Sequence, residues 1–209
     1  MFGLFFEVIP KAGHAKHYFD HVAALREELL RQTGLVWLER FSRRHDDIRI
    51  LSHQLWQDMA AIDHWRHNRK HKQAQIAGRN QHFSDYRIRI GKRLGDVGAQ
   101  PSTMPQSLMS KNTALAESHH LIATAHYKAA PKADDVEFWE SVTHAPAGLV
   151  MAQFEADDDG LDIAENWCRQ HQKNAHFARA EIFAVMIDYG MFERGQAPET
   201  RGHKTAPNG

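Results

Sequence analysis

The chain has 209 residues, 26 of them basic and 26 acidic, so its formal charge is balanced. A balanced charge gives no bulk field that would recruit nucleic acid or an anionic membrane, and we expect neither as a partner. No apolar run approaches the ~20 residues of a transmembrane helix, and the N-terminus lacks the pattern of a signal peptide. The single Cys168 excludes an intrachain disulfide and fits a reducing compartment, so we predict a cytoplasmic protein.

Sixteen histidines are the unusual feature of the composition. Imidazole titrates near neutrality and binds metal ions and haem iron. The histidines are scattered, however, and His14, His17, His45 and His203 lie in positions that look solvated. We therefore interpret the excess mainly as surface histidines with no common role.

The first half of the chain predicts the element order β-α-β-β-α-β. Strand-like runs lie at residues 2–9, 35–42, 47–56 and 86–94, and helical periods lie at 14–32 and from about Met59 to near Gln81. Asp58 is a reasonable N-cap for the second helix, and Gly78 is a position that can weaken or break it. This order is the ferredoxin-like arrangement, a four-stranded antiparallel sheet with two helices on one face. The other face is also apolar, which predicts packing against a second sheet.

The second half predicts a degenerate copy of the first. Residues 95–118 carry Gly, Pro, Ser and Thr without a period and predict a linker between a first unit at 1–94 and a second at 119–194. Strands are predicted at 119–127, 148–156 and 181–194, a short helix at 133–141 and a longer helix at 161–180. Because only three strands are readable here, one strand is either lost or hidden. The tail at 195–209 is predicted to be disordered.

Four motifs in the first half support a family resemblance: FEVIPKAGH (6–14), LREELLRQTGLVWLERF (25–41), LSHQLWQDMAAIDHWR (51–66) and HKQAQIAGRNQHFSDYRIRI (71–90). With them the first half resembles the antibiotic biosynthesis monooxygenase family of the dimeric α+β barrel superfamily; the second half resembles it weakly, through ENWCRQH and AHFARAEIF. The resemblance implies two sheets that close an α+β barrel, with a pocket between each sheet and its helices. Here the second half would supply the second sheet, an intrachain pseudo-dimer, and a homodimer of whole chains stays open.

The resemblance also implies an activity, the cofactor-independent oxygenation of a small aromatic or quinol-type substrate by dioxygen in that pocket. The catalytic candidates are His71 and His67 as bases and Tyr86 as an orienting hydroxyl. The substrate-binding candidates are Trp65, Asn68, Glu7 and His53. No Gly-rich phosphate loop indicates flavin or nicotinamide, so we expect no cofactor.

Other interpretations stay open. A haem-degrading branch of the superfamily uses a His ligand nine or ten residues after a Trp, a spacing that Trp167 and His176 have, although neither first strand carries the Asn of that branch. A metal ion between His67 and His71, or between His171 and His176, lacks an accompanying carboxylate motif, and we predict no metal. The aromatic candidates can instead be packing residues and the histidines a solvated face. A non-catalytic ligand-binding or stress-response protein is the remaining alternative.

Overall fold

The computed structural model describes residues 1–44, 46–98, 113–131 and 137–197. Its strands are β1 (Phe2–Pro10), β2 (Leu35–Arg43), β3 (Asp46–Trp56), β4 (Phe83–Gly98), β5 (His120–Tyr127), β6 (Phe138–Ser141), β7 (Gly148–Phe154) and β8 (Phe177–Gly190). Its helices are α1 (Ala15–Leu30), α2 (Met59–His67), α3 (Arg69–Ala77) and α4 (Asp158–Gln172), with a π turn at Gly78–His82 and a helical turn at 113–116. Within these ranges no helix combines the length and the apolar character needed to cross a membrane.

The strands close into one barrel in the order β1-β3-β2-β6-β7-β5-β8-β4. Each half therefore has the same internal order, β4-β1-β3-β2 in the first and β8-β5-β7-β6 in the second, and the pairings are antiparallel. The two half-sheets meet where β2 pairs with β6 and where β4 pairs with β8. The predicted fold class, two ferredoxin-like units whose antiparallel sheets pack into an α+β barrel, is confirmed.

The second unit keeps four strands, one more than could be read from its sequence. The helix predicted at 133–141 is wrong over Phe138–Ser141, which form β6 and pair with both β2 and β7. The remaining residues of that prediction, up to 136, lie outside the described ranges. Phe138 and Trp139 point to opposite faces of the sheet and both are buried, each 3% exposed. A short strand that is buried on both faces shows no apolar–polar alternation, which explains why the pattern concealed it.

The second helix of the first unit is interrupted, whereas the sequence predicts a single helix over 59–81. Asp58 caps α2 as predicted, since its carboxylate accepts a hydrogen bond of 2.8 Å from the backbone N–H of Ala61. The chain leaves helical geometry at Asn68, with φ −55° and ψ 131°, and the side chain of Asn68 caps α3. Gly78 keeps helical angles. The break falls at Asn68 because its side chain satisfies the free N–H groups of a new helix start.

The predicted unit boundaries shift at their edges. Strand β4 continues past residue 94 to Gly98 and pairs Gly95 with Ile182 of β8, so the start of the predicted linker belongs to the barrel. The middle of that linker, 99–112, lies outside the described residues. Only 195–197 of the predicted disordered tail are described, and there the side chain of Gln196 accepts a hydrogen bond of 2.8 Å from the backbone of Asp188.

Apolar side chains fill three layers of the molecule. The barrel interior holds a cluster to which both half-sheets contribute, with Phe5, Phe41, Trp139 and Phe183 among its members. Helices α1 and α2 bury Leu29, Trp56 and Trp65 against the outer face of the first half-sheet. Helix α4 buries Ala164 and Cys168 against the outer face of the second. The sheet therefore separates the interior cluster from the two helix-covered clusters.

Candidate active site

A polar ladder runs along β3 beneath the helices of the first unit. Successive side chains of a strand alternate between faces, so Ser52, Gln54 and Trp56 share the helix-covered face. The indole N–H of Trp56 donates to Gln54 Oε1 at 2.9 Å, and Gln54 Nε2 donates to Ser52 Oγ at 3.2 Å. All three are buried. The outer face of the first half-sheet thus combines an aromatic surface with ordered hydrogen-bonding groups.

Trp65 and His71 form a stacked pair above this face. Trp65 is only 4% exposed, and its ring lies 4.2 Å from the half-buried ring of His71 at an interplanar angle of 12°. His71 Nδ1 lies 3.0 Å from the carbonyl oxygen of Trp65. Since a carbonyl only accepts, we assign the proton to Nδ1, which leaves a lone pair on Nε2. Burial lowers the pKa of His71 and the hydrogen bond to the carbonyl opposes that effect, so the ring is neutral at pH 7 and can act as a base.

Asn68 holds this pair in place. Its Oδ1 accepts hydrogen bonds from the backbone N–H groups of Lys70 and His71, at 3.0 and 3.1 Å. Its Nδ2 donates to Glu28 Oε1 on α1 at 2.6 Å. Hydrogen bonds from Lys70 and Asn68 lower the pKa of Glu28 and keep it ionised. The predicted substrate-binding Asn68 is therefore occupied as a helix cap and as a link between α1 and α3.

His67 and Tyr86 lie apart from the stacked pair. His67 is exposed, and its Nδ1 contacts the carbonyl oxygen of Asp63 at 2.8 Å. The hydroxyl of Tyr86 accepts a hydrogen bond from Arg194 at 2.8 Å. The ring of Tyr86 packs in an apolar cluster around Tyr18, separate from the cluster that contains Trp65. Of the three catalytic candidates, only His71 contacts Trp65.

Glu7 and His53 lie on the opposite face of the sheet. Both point into the barrel interior, because their strand positions alternate with those that face the helices. Glu7 forms an ion pair with Arg89. His53 is fully buried and stacks on Phe5, with ring centroids 4.3 Å apart. The sheet therefore separates these two substrate-binding candidates from Trp65 and His71.

The barrel interior contains a polar cluster that sequence reasoning missed. The rings of His53 and His126 are 5.8 Å apart, and Arg179 lies over the ring of Trp37 at 4.3 Å. Glu181, 1% exposed, lies 3.2 Å from Arg179. Burial, and next the charge of Arg179, hold the pKa values of both histidines well below the ordinary value, so both are neutral. The sequence signal for this cluster is the presence of polar residues at inward positions of β3 and β5. It does not show that these residues meet, because the two strands are far apart in sequence.

Neither ring nitrogen of His53 has a hydrogen-bond partner within the described part of the chain. The same holds for the hydroxyl of Thr124 on β5. Buried polar atoms without partners are uncommon in folded proteins, because each loses the hydrogen bonds that it makes with water. The interior therefore combines its aromatic cluster with buried polar atoms that lack partners among the described residues.

The second unit also brings a Trp and a His together: Trp167 and His171, both on α4, have ring centroids 4.0 Å apart. His171 Nδ1 makes a short hydrogen bond to the hydroxyl of Tyr127. His176 lies beyond the end of α4 and is exposed. The nine-residue spacing therefore does not bring Trp167 and His176 together. His176 does not fit the position of an axial haem ligand that has the indole of Trp167 beside it.

A cleft lies on the other side of α4. Its volume is about 200 Å³, and it is lined by Gly95, Asp96, Glu165, Cys168, Arg169, Ala180 and Ile182. Burial raises the pKa of the Cys168 thiol to about 12, so this thiol is protonated and unreactive at neutral pH. The thiol in this cleft is therefore not a nucleophile.

Comparisons with known proteins agree on the first unit. The model of the family described as antibiotic biosynthesis monooxygenase matches residues 1–77. Jasmonate monooxygenase ABM of Pyricularia oryzae is 30% identical over 97 residues, which cover 46% of this chain and 45% of that protein. The uncharacterized protein YqjZ of Bacillus subtilis is 36% identical over 61 residues, 29% of this chain and 52% of that protein. The chain thus spans about half the length of these curated relatives.

Among solved structures, PA3566 from Pseudomonas aeruginosa is similar over 45% of this chain and 94% of its own, with 18% identity and a TM-score of 0.42. The family match covers β1 to the end of α3, which includes Trp65, Asn68 and His71. Over residues 1–77 the chain is similar to the antibiotic biosynthesis monooxygenase family.

Proposed function

We propose that the chain is a monooxygenase that oxidises a small, electron-rich aromatic or quinol-type substrate with dioxygen and without a flavin, nicotinamide, haem or metal cofactor. The observation that carries this proposal is the stacked Trp65–His71 pair, a neutral imidazole base against an indole wall inside the family-matching segment. Jasmonate monooxygenase ABM, a relative over 97 residues, is named for an oxygenation, which supports the reaction class.

The chemistry requires little more than a base and a dry aromatic surface. Nε2 of His71 takes a proton from an acidic ring carbon or hydroxyl of the substrate, and the resulting anion is electron-rich enough to reduce dioxygen. For a ring methylene, one oxygen atom enters the substrate as a carbonyl oxygen, and the other leaves as water with the two methylene hydrogens. For a phenolic substrate, one oxygen atom becomes the new carbonyl oxygen, and the other leaves as water with one hydrogen from that ring carbon and one from the hydroxyl. Trp65 and Trp56 are buried in the apolar cluster beneath α1 and α2, which keeps bulk water away from the imidazole.

We propose a supporting role for the second unit. It repeats the strand order of the first unit and carries its own Trp167–His171 pair, which supports its origin as a diverged copy that acts as an intrachain pseudo-dimer partner. The proposed cytoplasmic location is supported by the single cysteine, Cys168, which is free and buried. Fluorescence microscopy of a tagged chain would test the location.

The test is oxygen consumption by purified protein with hydroquinones and anthrone, without added cofactor. Compared with wild type, His71→Gln is expected to lower kcat/KM by roughly 100-fold or more, the contribution of a positioned general base. Trp65→Phe should mainly raise KM, since it shortens the binding wall. The matched control is His67→Gln, which removes a histidine from the same helical region but from an exposed position.

The pH profile gives a second readout. Because the pKa of His71 is lowered by burial, the wild-type rate is expected to fall only below the ordinary imidazole range, as His71 takes up a proton. That acid limb should disappear in His71→Gln. Equal rates and equal pH profiles in wild type and His71→Gln would exclude His71 as the base, and no oxygen consumption with any of these substrates would favour non-catalytic ligand binding.

A further inference from the structure

A group of histidines lies where α1 begins and where β4 is about to start, away from Trp65 and His71. His14 immediately precedes α1, His17 lies in its first turn, and His82 ends the π turn. Nδ1 of His14 and Nδ1 of His82 are 3.1 Å apart, and one nitrogen of each of the three rings lies within 4.8 Å of the others. Two of these residues were expected to be solvated histidines without a common role. The fold instead brings them together with a third that is 68 residues from His14 in sequence.

The backbone fixes this meeting point. The N–H of Lys11 donates to the carbonyl of His82 at 2.8 Å, and the N–H of His14 donates to the carbonyl of Lys11 at 2.8 Å. The ring of His17 stacks on that of His82, with centroids 4.8 Å apart. His21, one helical turn further along α1, has its ring centroid 5.6 Å from that of His82. Imidazoles from two segments therefore converge on a scaffold that holds them without a metal ion.

The ligand chemistry suits a transition metal. Zinc binds imidazole nitrogen at about 2.0–2.1 Å in tetrahedral sites, so two nitrogens that share one ion lie roughly 3.3 Å apart. The observed 3.1 Å between His14 and His82 is close to that separation. The neutral ring is the form of imidazole that binds metal. Imidazole ligands select Zn²⁺, Cu²⁺ or Ni²⁺ over Mg²⁺ and Ca²⁺.

We propose that His14, His17 and His82 bind one divalent transition-metal ion, with Zn²⁺ as the foremost occupant and His21 or water as the fourth ligand. The ion would join the first turn of α1 to the segment that enters β4. This site is structural in character, because it contacts neither Trp65 nor His71 and its position fixes a helix end against the sheet. It does not rest on the proposed oxygenase activity.

The test is calorimetric titration of the full chain, without a histidine tag, with ZnCl₂ alone. Wild type is expected to bind one equivalent of Zn²⁺ at a specific site. His17→Ala and His82→Ala should each lower the affinity about tenfold or more. Loss of a residue that only supports a ligand already lowers metal affinity by about tenfold or more, and loss of the ligand itself should lower it at least as much. His64→Ala, on the exposed face of α2, is the matched control and should bind like wild type. His21→Ala distinguishes a fourth imidazole, which weakens binding, from a water ligand, which leaves it unchanged.

Cobalt gives an independent readout of geometry. Co²⁺ added to wild type should give the intense visible absorption of tetrahedral coordination, and His17→Ala should lose it while its near-ultraviolet circular dichroism stays that of the folded protein. His17 is exposed, so this variant should fold even if His82→Ala does not. Zinc binding of equal affinity in wild type, His17→Ala and His82→Ala would overturn the proposal, and the short contact of His14 with His82 would then be a hydrogen bond between two imidazoles.

Discussion

His120 is expected to make the protein sensitive to acid. It is the first residue of β5 and is 6% exposed, with Nδ1 3.9 Å from a carboxylate oxygen of Asp188. Burial lowers its pKa from 6.5 to about 4, and the Asp188 carboxylate only partly opposes this. The unfolded chain therefore takes up a proton on this residue at a higher pH than the folded chain does. The contribution of His120 to the free energy of unfolding is therefore at its full value above pH 6.5 and decreases as the pH falls towards 4.

The size of the effect follows from the two pKa values. The difference between 6.5 and about 4, at ~1.36 kcal/mol per pKa unit, corresponds to about 3 kcal/mol at pH 4, of which ~2 kcal/mol is already lost at pH 5. His120→Gln keeps a polar side chain of similar length that cannot take up a proton. Relative to this variant, wild type should lose ~2 kcal/mol of unfolding free energy between pH 7.5 and pH 5.

Urea unfolding followed by circular dichroism at the two pH values measures this difference. The other buried histidines, His53 and His126, are present in both proteins, so their contributions cancel in the comparison. His119→Gln replaces the exposed neighbour and should show the wild-type pH dependence. If wild type and His120→Gln lose the same free energy between pH 7.5 and 5, the argument from burial of His120 is refuted.

Three further substitutions test the fold. Glu181→Ala removes a buried carboxylate that pairs with Arg93 and Arg179, and it should cost about 3–5 kcal/mol of unfolding free energy in a urea titration. Its control is Asp63→Ala, which removes an exposed ion pair and should cost at most about 1 kcal/mol. Asn68→Ala removes the α3 cap and should cost about 1 kcal/mol, with faster amide exchange in α3 as the local readout. Gly148→Ala places a Cβ 2.2 Å from a backbone carbonyl oxygen and should cost about 3 kcal/mol of unfolding free energy, the upper end of the overpacking cost. A thermal melt should therefore show a lower midpoint for Gly148→Ala and an unchanged one for Gly95→Ala, which has open space around it.

Local patterns predicted most of the first unit. The runs that became β1 to β3 are apolar over most of their length, and the Asp58 cap follows from one side chain and its nearest backbone donors. The break at Asn68 was missed, since an Asn within a polar basic run gives no local sign that its side chain will cap a new helix. That break matters for the site, because it places His67 and His71 on separate helices and lets His71 stack on Trp65.

Contacts that depend on strand closure could not be predicted from local patterns. His53 and His126 become neighbours only because β3 and β5 face each other across the barrel. His14 and His82 meet only because the loop before α1 is hydrogen-bonded to the π turn. In each case the relevant distance is set by the register of strands far apart in sequence, which a single sequence does not encode in any short window.

The two seams of the barrel differ in length. Strand β4 pairs with β8 from Arg87 to Gly98, whereas β2 meets β6 only over Phe41–Arg43 and Trp139–Ser141. The short seam has fewer hydrogen bonds to break, so local opening there should cost less free energy than opening of the long seam. The long seam would keep the two half-sheets joined. The interior cluster around His53 and Glu181 lies between the two half-sheets, so we expect its buried polar atoms to become hydrated first when the short seam opens.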